Sequence, residues 1–548
     1  MNQAATAKRG FFNTHDRVAS GVAIMLVLLG GMMTFLVLRP AVGIDDANIT
    51  QVYAISFAER FEFTYYAGGE RVEGSTSFLW TLINGVLFAL PGPAELWVTL
   101  ICFGLSVLTI SNCWKLGFTS FLDNANGPSP LYSVLFALLF LTFLGFFAWS
   151  LWALMDITLW LCLLSAILLF TVRQLKNGSP PQSSRSFILF AAAFALLTVT
   201  RPEGVAISLG ILLYVLIHST LEKQKHASIQ YLIAIGLVVA TFAAVTFWRL
   251  SYFGVPFPNT FYAKVSTNSV EQALSGLSYL RTFLMSDFIL PLLLGFVVSA
   301  GLTINFRQTL FKLVFDHRVF QFLFVLGIIT LYTMLGGDHF GSYRFFQPVL
   351  LVILPFVAGT MTLKLSSKIQ DMRSTLGMVI SIIGLACVTI SSINFMQDNG
   401  DLAKEFRIAE DGRLLGERLN QLSPGTSISV VPAGGIAVTY RQGPIYDLMG
   451  LNWTVMAHAS DDLSGTVKNH GGFVEEVFWE AAPDIVTPAN WDCSDLSGYP
   501  DAFWWTTLKG LYGTERFKAD YETVCAGSVA MFVRKNVAAR VTAEMSEP

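Results

Sequence analysis

Up to about residue 395 the chain alternates long apolar runs with short polar stretches, and after that the alternation stops. Windows of about 17 to 22 mostly apolar residues, the length a helix needs to cross a ~30 Å hydrocarbon layer, fall at 18–38, 96–112, 131–148, 150–171, 186–200, 203–218, 229–249, 287–306, 319–336, 346–363 and 375–394. They predict eleven membrane-crossing helices. The apolar stretch 78–90 is too short to cross and predicts a re-entrant or juxtamembrane helix. The first run follows Lys8, Arg9 and Arg17 as a signal peptide would, but its length and the lack of a small-residue pattern before Arg39-Pro40 predict a retained helix.

Short loops rich in Lys and Arg stay on the cytoplasmic side. With the N-terminus inside and 78–90 not crossing, five basic loops fall inside: Lys115; Arg173, Lys176 and Arg185; Lys223 and Lys225; Arg307, Lys312 and Arg318; Lys364, Lys368 and Arg373. The external face then collects loop 39–77, the turn after Trp149, the turn 200–204, loop 250–286, segment 336–344 and everything after Asn394.

From about Asp398 the pattern becomes that of an α/β domain of roughly 150 residues. An amphipathic helix over 402–422 leads to a short strand at 427–431 and then the segment 434–440, with further strands expected at 445–452, 484–487 and 527–533. Phe503-Trp504-Trp505 reads as core rather than as an exposed sugar-stacking platform. Residues 536–548 read as a mobile tail. The fold class is therefore an α-helical polytopic membrane domain over 1–397 plus an external α/β domain over 398–548.

Composition agrees and excludes some functions. At 53% hydrophobic and 13% charged, 548 residues hold more apolar sequence than one soluble core uses. A net charge of -3 and the lack of a Lys/Arg block exclude nucleic acid. Of the six cysteines, Cys102, Cys113, Cys162 and Cys387 lie in or beside apolar runs and read as packing residues. Cys493 and Cys525 lie in the polar region and can pair in an oxidising compartment.

The external pieces carry the unusual polar residues. Asp45-Asp46 follows the first run and reads either as a helix cap or as a reactive carboxylate pair at the membrane rim. Glu70, Arg71 and Glu73 lie in a glycine-rich stretch, Asp156 sits just inside an apolar run, and Arg201 and Glu203 flank a proline turn. Trp248, Tyr252, Phe253 and Tyr262, in the loop that also holds Asn259 and Lys264, include an interfacial aromatic belt. Asp338, His339, Tyr343 and Arg344 close the set. Each ion pair alone reads as a helix-end contact, but ionisable groups near a bilayer are costly, and several on one face point to a pathway or reaction. No phosphate-binding glycine loop, dinucleotide turn or HExxH occurs, and the seven histidines are scattered, so ATP-driven and zinc-dependent chemistry are disfavoured and no metal ligands are assigned.

Taken in order, Asp45-Asp46, Gly69-Glu-Arg-Val-Glu-Gly74 before Phe78-Leu-Trp80, Thr200-Arg-Pro-Glu-Gly204, Pro258-Asn-Thr-Phe-Tyr-Ala-Lys264, Gly337-Asp338 with Tyr343-Arg-Phe345, and Tyr446-Asp-Leu-Met-Gly-Leu-Asn452 resemble the GT-C superfamily of membrane glycosyltransferases. The likeness runs from about residue 18 to 460 and is greatest to the terminal arabinofuranosyltransferase branch. The family's Gly-(Met/Leu)-Glu-Thr has Leu154-Met-Asp-Ile-Thr158 in its place, with Asp156 one methylene shorter than Glu.

The resemblance implies a polyprenyl-phosphate sugar donor, an acidic residue of the first external loop as the catalytic one, and an external C-terminal domain that helps hold the acceptor glycan. The expected activity is transfer of a sugar, such as arabinofuranose, to a cell-envelope glycan or lipid-linked acceptor outside a bacterial inner membrane, with the N-terminus cytoplasmic. Asp45 is expected as the base that takes the acceptor proton, with Asp46 orienting it or binding sugar hydroxyls, or the two in reverse. Arg201, Lys264 and Arg344 are expected at the donor phosphate. Glu73, Asp156, Glu203, Asn259, Asp338, His339 and Tyr343 are expected to position those cations or the sugar. No cofactor is assigned, and a divalent cation is left open. A transporter or flippase of a lipid-linked sugar, or a non-catalytic glycan binder, stays as the alternative.

Overall fold

The computed structural model describes residues 14–546 apart from 124–129, 178–183, 265–268, 287, 369–372, 399, 460–470, 488–492, 494–501 and 527–528. Seven of its helices are long and apolar enough to cross a membrane, and nine if each of two bent pairs is one span, which makes the chain a multi-pass membrane protein. The expected number of eleven is not reached by this measure. The window 131–148 is split into Pro130–Leu141 and Leu144–Trp152, bent by 77°, and Ser269–Met285 joins Ile289–Thr303 at 87°. Arg185–Thr200 and Ile382–Gln397 are apolar but shorter, and so is Phe78–Phe88, the stretch expected not to cross.

Packing explains why so little charge is tolerated. Helix Ala94–Phe121 lies against Thr14–Leu38, Ile157–Asn177 and Gln347–Lys368. Trp80, Trp114, Trp149 and Trp160 are fully buried among these helices and their neighbours. Four buried threonines there are satisfied locally: Thr34, Thr109, Thr198 and Thr362 each bond a carbonyl one turn back.

The C-terminal region carries a five-stranded sheet of β1 (Ile428–Val430), β2 (Ile445–Asp447), β3 (Ile485–Thr487), β4 (Tyr521–Ala526) and β5 (Val529–Arg534), in the order β2-β1-β3-β5-β4. β1 pairs in parallel with β2 and β3, and β5 pairs antiparallel with β3 and β4. Helix Gly400–Leu419 covers the expected amphipathic stretch. Residues 435–439, in the segment after the first strand, form a short helix. Two local expectations are corrected. The stretch read as a tail is helix Lys535–Ser546, held by buried Ala538 and Val541. Trp505, read as core, is 44% exposed, and the side chains of Phe503 and Trp504 lie outside the described ones. Cys493 and Cys525 are joined as a disulfide.

Candidate active site

The site begins where the first helix hands over to the second. Gly43, at φ 80°, turns the chain against the carbonyl of Ala153 and the side chain of Leu154, a close approach in a left-handed conformation that suits glycine. Asn48 then bonds the carbonyls of Val42 (3.1 Å) and Ile44 (2.9 Å), which fixes the start of helix Asp45–Arg60. Acidic residues suit that first turn electrostatically. At 3.6 residues per turn, neighbouring side chains point about 100° apart, so the two carboxylates face different surroundings.

Asp45 faces the C-terminal region. It is buried, and its carboxylate accepts hydrogen bonds from the backbone N–H groups of Gly434 (3.0 Å) and Gly435 (2.8 Å). Burial still pushes it up to about 6. Asp46 is 24% exposed, lines the main cavity, and lies 3.9 Å from Nη1 of Arg344. The carboxylate expected first as the base is thus already engaged by two amides, and its neighbour is the one that meets open space.

Three cations from distant stretches line the same cavity as Asp46, and Arg344 is the one beside it. Arg344 follows Ser342 and Tyr343, two non-glycine residues at φ 57° and 47°. Strain of that kind persists where the surroundings hold it. Its guanidinium is gripped by both oxygens of buried Asp338 and stacks on Phe340 at 4.4 Å. Arg201, in the proline turn, bonds Glu203 (2.7 Å) and Asp156 (3.4 Å), while Tyr332 donates to Glu203 (3.0 Å). Lys264 lines the same cavity and makes no ion pair among the described residues.

The cavity encloses about 830 Å³. Its charged lining is Asp46, Asp156, Arg201, Glu203, Arg249, Lys264, Glu271 and Arg344, and Leu209, Phe242, Val245 and Leu335 form an apolar wall. A cavity lined by both apolar and charged side chains suits a ligand with a greasy tail and an anionic head. Among the described residues no three His, Cys, Asp or Glu side chains converge as a metal-holding group.

Other expected residues lie behind this lining. Glu73 is buried and clamps Arg249 through two hydrogen bonds of 2.7 and 2.8 Å; burial raises it above the usual carboxylate range, and the guanidinium opposes that shift. Asn259 donates to the carbonyls of Gly450 (2.8 Å) and Leu451 (3.0 Å), tying its loop to the C-terminal region. His339 sits 3.5 Å from Asp338. Tyr343 packs its ring on Tyr279 and Phe283.

Sequence reasoning missed Arg249, which sits in a helix read as apolar; its spacing from Trp248 and Tyr252 hid it in an aromatic belt. It also missed Arg413, which bonds Asn48 (2.6 Å), Glu95 (2.6 Å) and Gln51 and so locks helix Gly400–Leu419 to helix Asp45–Arg60. Asp447 lies within the motif Tyr446-Asp-Leu-Met-Gly-Leu-Asn452, where the sequence assigns it no role. It is buried, accepts from the backbone of Met449 and from the backbone and side chain of Asn452, and is pushed up to about 6 by burial.

No family model and no curated protein matches the chain. Among solved structures it is similar to ArnT from Cupriavidus metallidurans in the apo state, at 12% identity over 97% of this chain and 99% of that one, with a TM-score of 0.54. The same protein bound to undecaprenyl phosphate gives 12% identity, 97% and 100% coverage and a TM-score of 0.53. The archaeal oligosaccharyltransferase AglB from Archaeoglobus fulgidus, in complex with an inhibitory peptide and a dolichol-phosphate, gives 10% identity, 92% and 79% coverage and a TM-score of 0.53. The shared property at these identities is the fold.

Proposed function

We propose that the chain is a membrane glycosyltransferase that moves a sugar from a polyprenyl-phosphate donor to a cell-envelope glycan or lipid-linked acceptor. The observation that carries this reading is the convergence of Asp46, Arg201, Lys264 and Arg344 on one cavity with an apolar wall. The fold neighbour crystallised with undecaprenyl phosphate supports a lipid-phosphate donor. The sugar suggested by the sequence likeness is a pentofuranose such as arabinofuranose. The reaction takes place on the external face of a bacterial inner membrane, where residues 398–548 form the external domain beside the acceptor.

In this reading Asp46 is the base. The acceptor hydroxyl oxygen attacks the anomeric carbon while its proton passes to the Asp46 carboxylate. The bond from that carbon to the phosphate oxygen breaks, and the lipid phosphate leaves with the electron pair. Arg344, Arg201 and Lys264 stabilise the charge that grows on the phosphate, and because their own partners hold the two arginines in place, little reorganisation is needed. Asp45 is a clamp that orients the helix carrying Asp46.

The test is sugar transfer by purified protein in detergent, with a panel of short-chain polyprenyl-phosphate sugars and lipid-extracted glycan acceptors. Transfer by the wild type that collapses in Asp46→Asn, with donor binding kept, is expected. No transfer from any donor, together with protein-dependent movement of the lipid across liposomes, overturns the reading.

A further inference from the structure

Helix Gly400–Leu419 lays one stripe of residues, spaced three or four apart, against the segment that clamps Asp45. A Cβ on Gly416 would meet the carbonyl oxygen of Ile436 at 2.6 Å, one on Gly412 the amide nitrogen of Ile436 at 3.1 Å, and one on Gly435 the carbonyl oxygen of Ala409 at 2.3 Å. Gly435 is in turn one of the two residues that donate to Asp45. Glu405 is the next position of that stripe, one turn before Ala409. Leu402 and Phe406 beside it are buried in the core cluster of the membrane helices. It is itself mostly buried and makes no hydrogen bond or ion pair among the described residues. Neither the base nor the phosphate cations of the proposed reaction include it.

The charges facing Glu405 can be named from every element packed on it. Helix Asp45–Arg60 presents Asp45 and Asp46, the turn Gly341–Phe346 presents Arg344, and Lys404 lies on its own helix. Of the other helices packed there, Gly435–Thr439 carries no charged residue, and Thr14–Leu38 carries Asp16 and Arg17 in its first turn. Arg344 thus has Asp338 behind it and Asp46 beside it, with Glu405 as a further carboxyl in the same field.

We infer that Glu405 is a positioning residue of the donor site, a third carboxyl set against Asp46 and Arg344 that tunes how strongly Arg344 attracts an anion. The inference rests on the proposed lipid-phosphate donor. Burial and the two aspartates push Glu405 up to about 8, so it keeps its proton at neutral pH. As pH rises through that value Glu405 ionises, its new charge offsets Arg344, and anion affinity falls. A sugar phosphodiester reports this cleanly, because it lacks the second ionisation near ~6 of a phosphate monoester.

The experiment measures the dissociation constant of a short-chain polyprenyl-phosphate sugar for the full-length protein in detergent from neutral to alkaline pH. Wild type is expected to weaken by about tenfold along that range. Glu405→Gln, an uncharged isostere of the protonated form, is expected to bind as wild type does at neutral pH and to stay flat. Glu405→Asp is expected to keep the alkaline weakening, which a merely structural residue would not do. Flat binding by wild type, or an alkaline limb that persists in Glu405→Gln, overturns the inference. No binding by wild type at any pH overturns the donor reading and this inference with it.

Discussion

Arg344 has two of its nitrogens on Asp338 and the third 3.9 Å from the carboxylate of Asp46. The cation for the leaving phosphate and the base for the incoming hydroxyl are therefore neighbours, as a displacement at one carbon between them requires. A salt bridge at 3.9 Å is loose, so either partner can turn to a ligand without leaving the other bare.

Asp46→Asn removes the proton acceptor and leaves the phosphate cations in place. Transfer is expected to fall by about 10²–10⁴-fold, with the donor dissociation constant within a few fold of wild type. Asp45→Asn is expected to act differently. An amide can accept from only one of Gly434 and Gly435 and presents its own N–H₂ to the other, so the variant loses melting temperature first and activity with it. Single-turnover transfer and thermal melts of both variants separate the roles.

Arg344→Lys keeps the charge and loses the fork that Asp338 grips, together with the stacking on Phe340. Loss of one charge-assisted hydrogen bond costs about 1.5–3 kcal/mol, so donor KM is expected to rise by about tenfold or more. A neutral Arg344→Gln is expected to cost kcat as well, since it no longer stabilises the leaving group. Steady-state kinetics with varied donor checks both.

Much of this arrangement was legible because it is local. Arg201 and Glu203 are two residues apart, and Asp338 and Arg344 share one turn, so their pairing follows from the chain. The apolar windows all became helices, since hydropathy alone specifies them. What was not legible depends on partners far away in sequence. Whether Asp45 or Asp46 meets the cavity is decided by Gly434, 389 positions away. Glu405 and Arg413 look like the polar face of a surface helix until helix Asp45–Arg60 is laid against them. The number of spans is less legible, because bends of 77° and 87° divide apolar runs without changing their composition, and Arg185–Thr200 and Ile382–Gln397 are apolar but shorter.

Asp45 and Asp447 give the protein a pH dependence with a definite sign. Both are pushed up to about 6 by burial, against roughly 3.9 in an unfolded chain. Between those values the native state binds more protons than the unfolded one, so stability from these groups is fully present below the unfolded value and is lost as pH rises through about 6. Each shift of roughly two units corresponds to at most about 3 kcal/mol. Wild type is expected to melt several degrees higher at pH 5 than at pH 7 in detergent, and Asp45→Asn is expected to show a smaller difference. Equal differences in the two proteins would remove Asp45 from this account.

Gly434→Ala probes the clamp from the other side without touching a carboxylate. A Cβ there would lie 1.9 Å from the carbonyl oxygen of Asp45 and 2.9 Å from the side chain of Asn48. Backbone oxygen cannot move aside as a flexible side chain can, so the C-terminal region must shift from the start of helix Asp45–Arg60. Overpacking of this kind costs about 1–3 kcal/mol or more. The same shift would loosen the bonds of Arg413 to Asn48 and Gln51, since they cross the same seam. Asp46 then loses its orientation while its chemistry is intact, so kcat is expected to fall and donor affinity to change little. Gly104→Ala, in a membrane helix where a Cβ meets nothing within 4 Å, is the matched control and is expected to leave both unchanged. If Gly434→Ala keeps wild-type turnover, Asp45 does not position Asp46, and the clamp is only a structural contact.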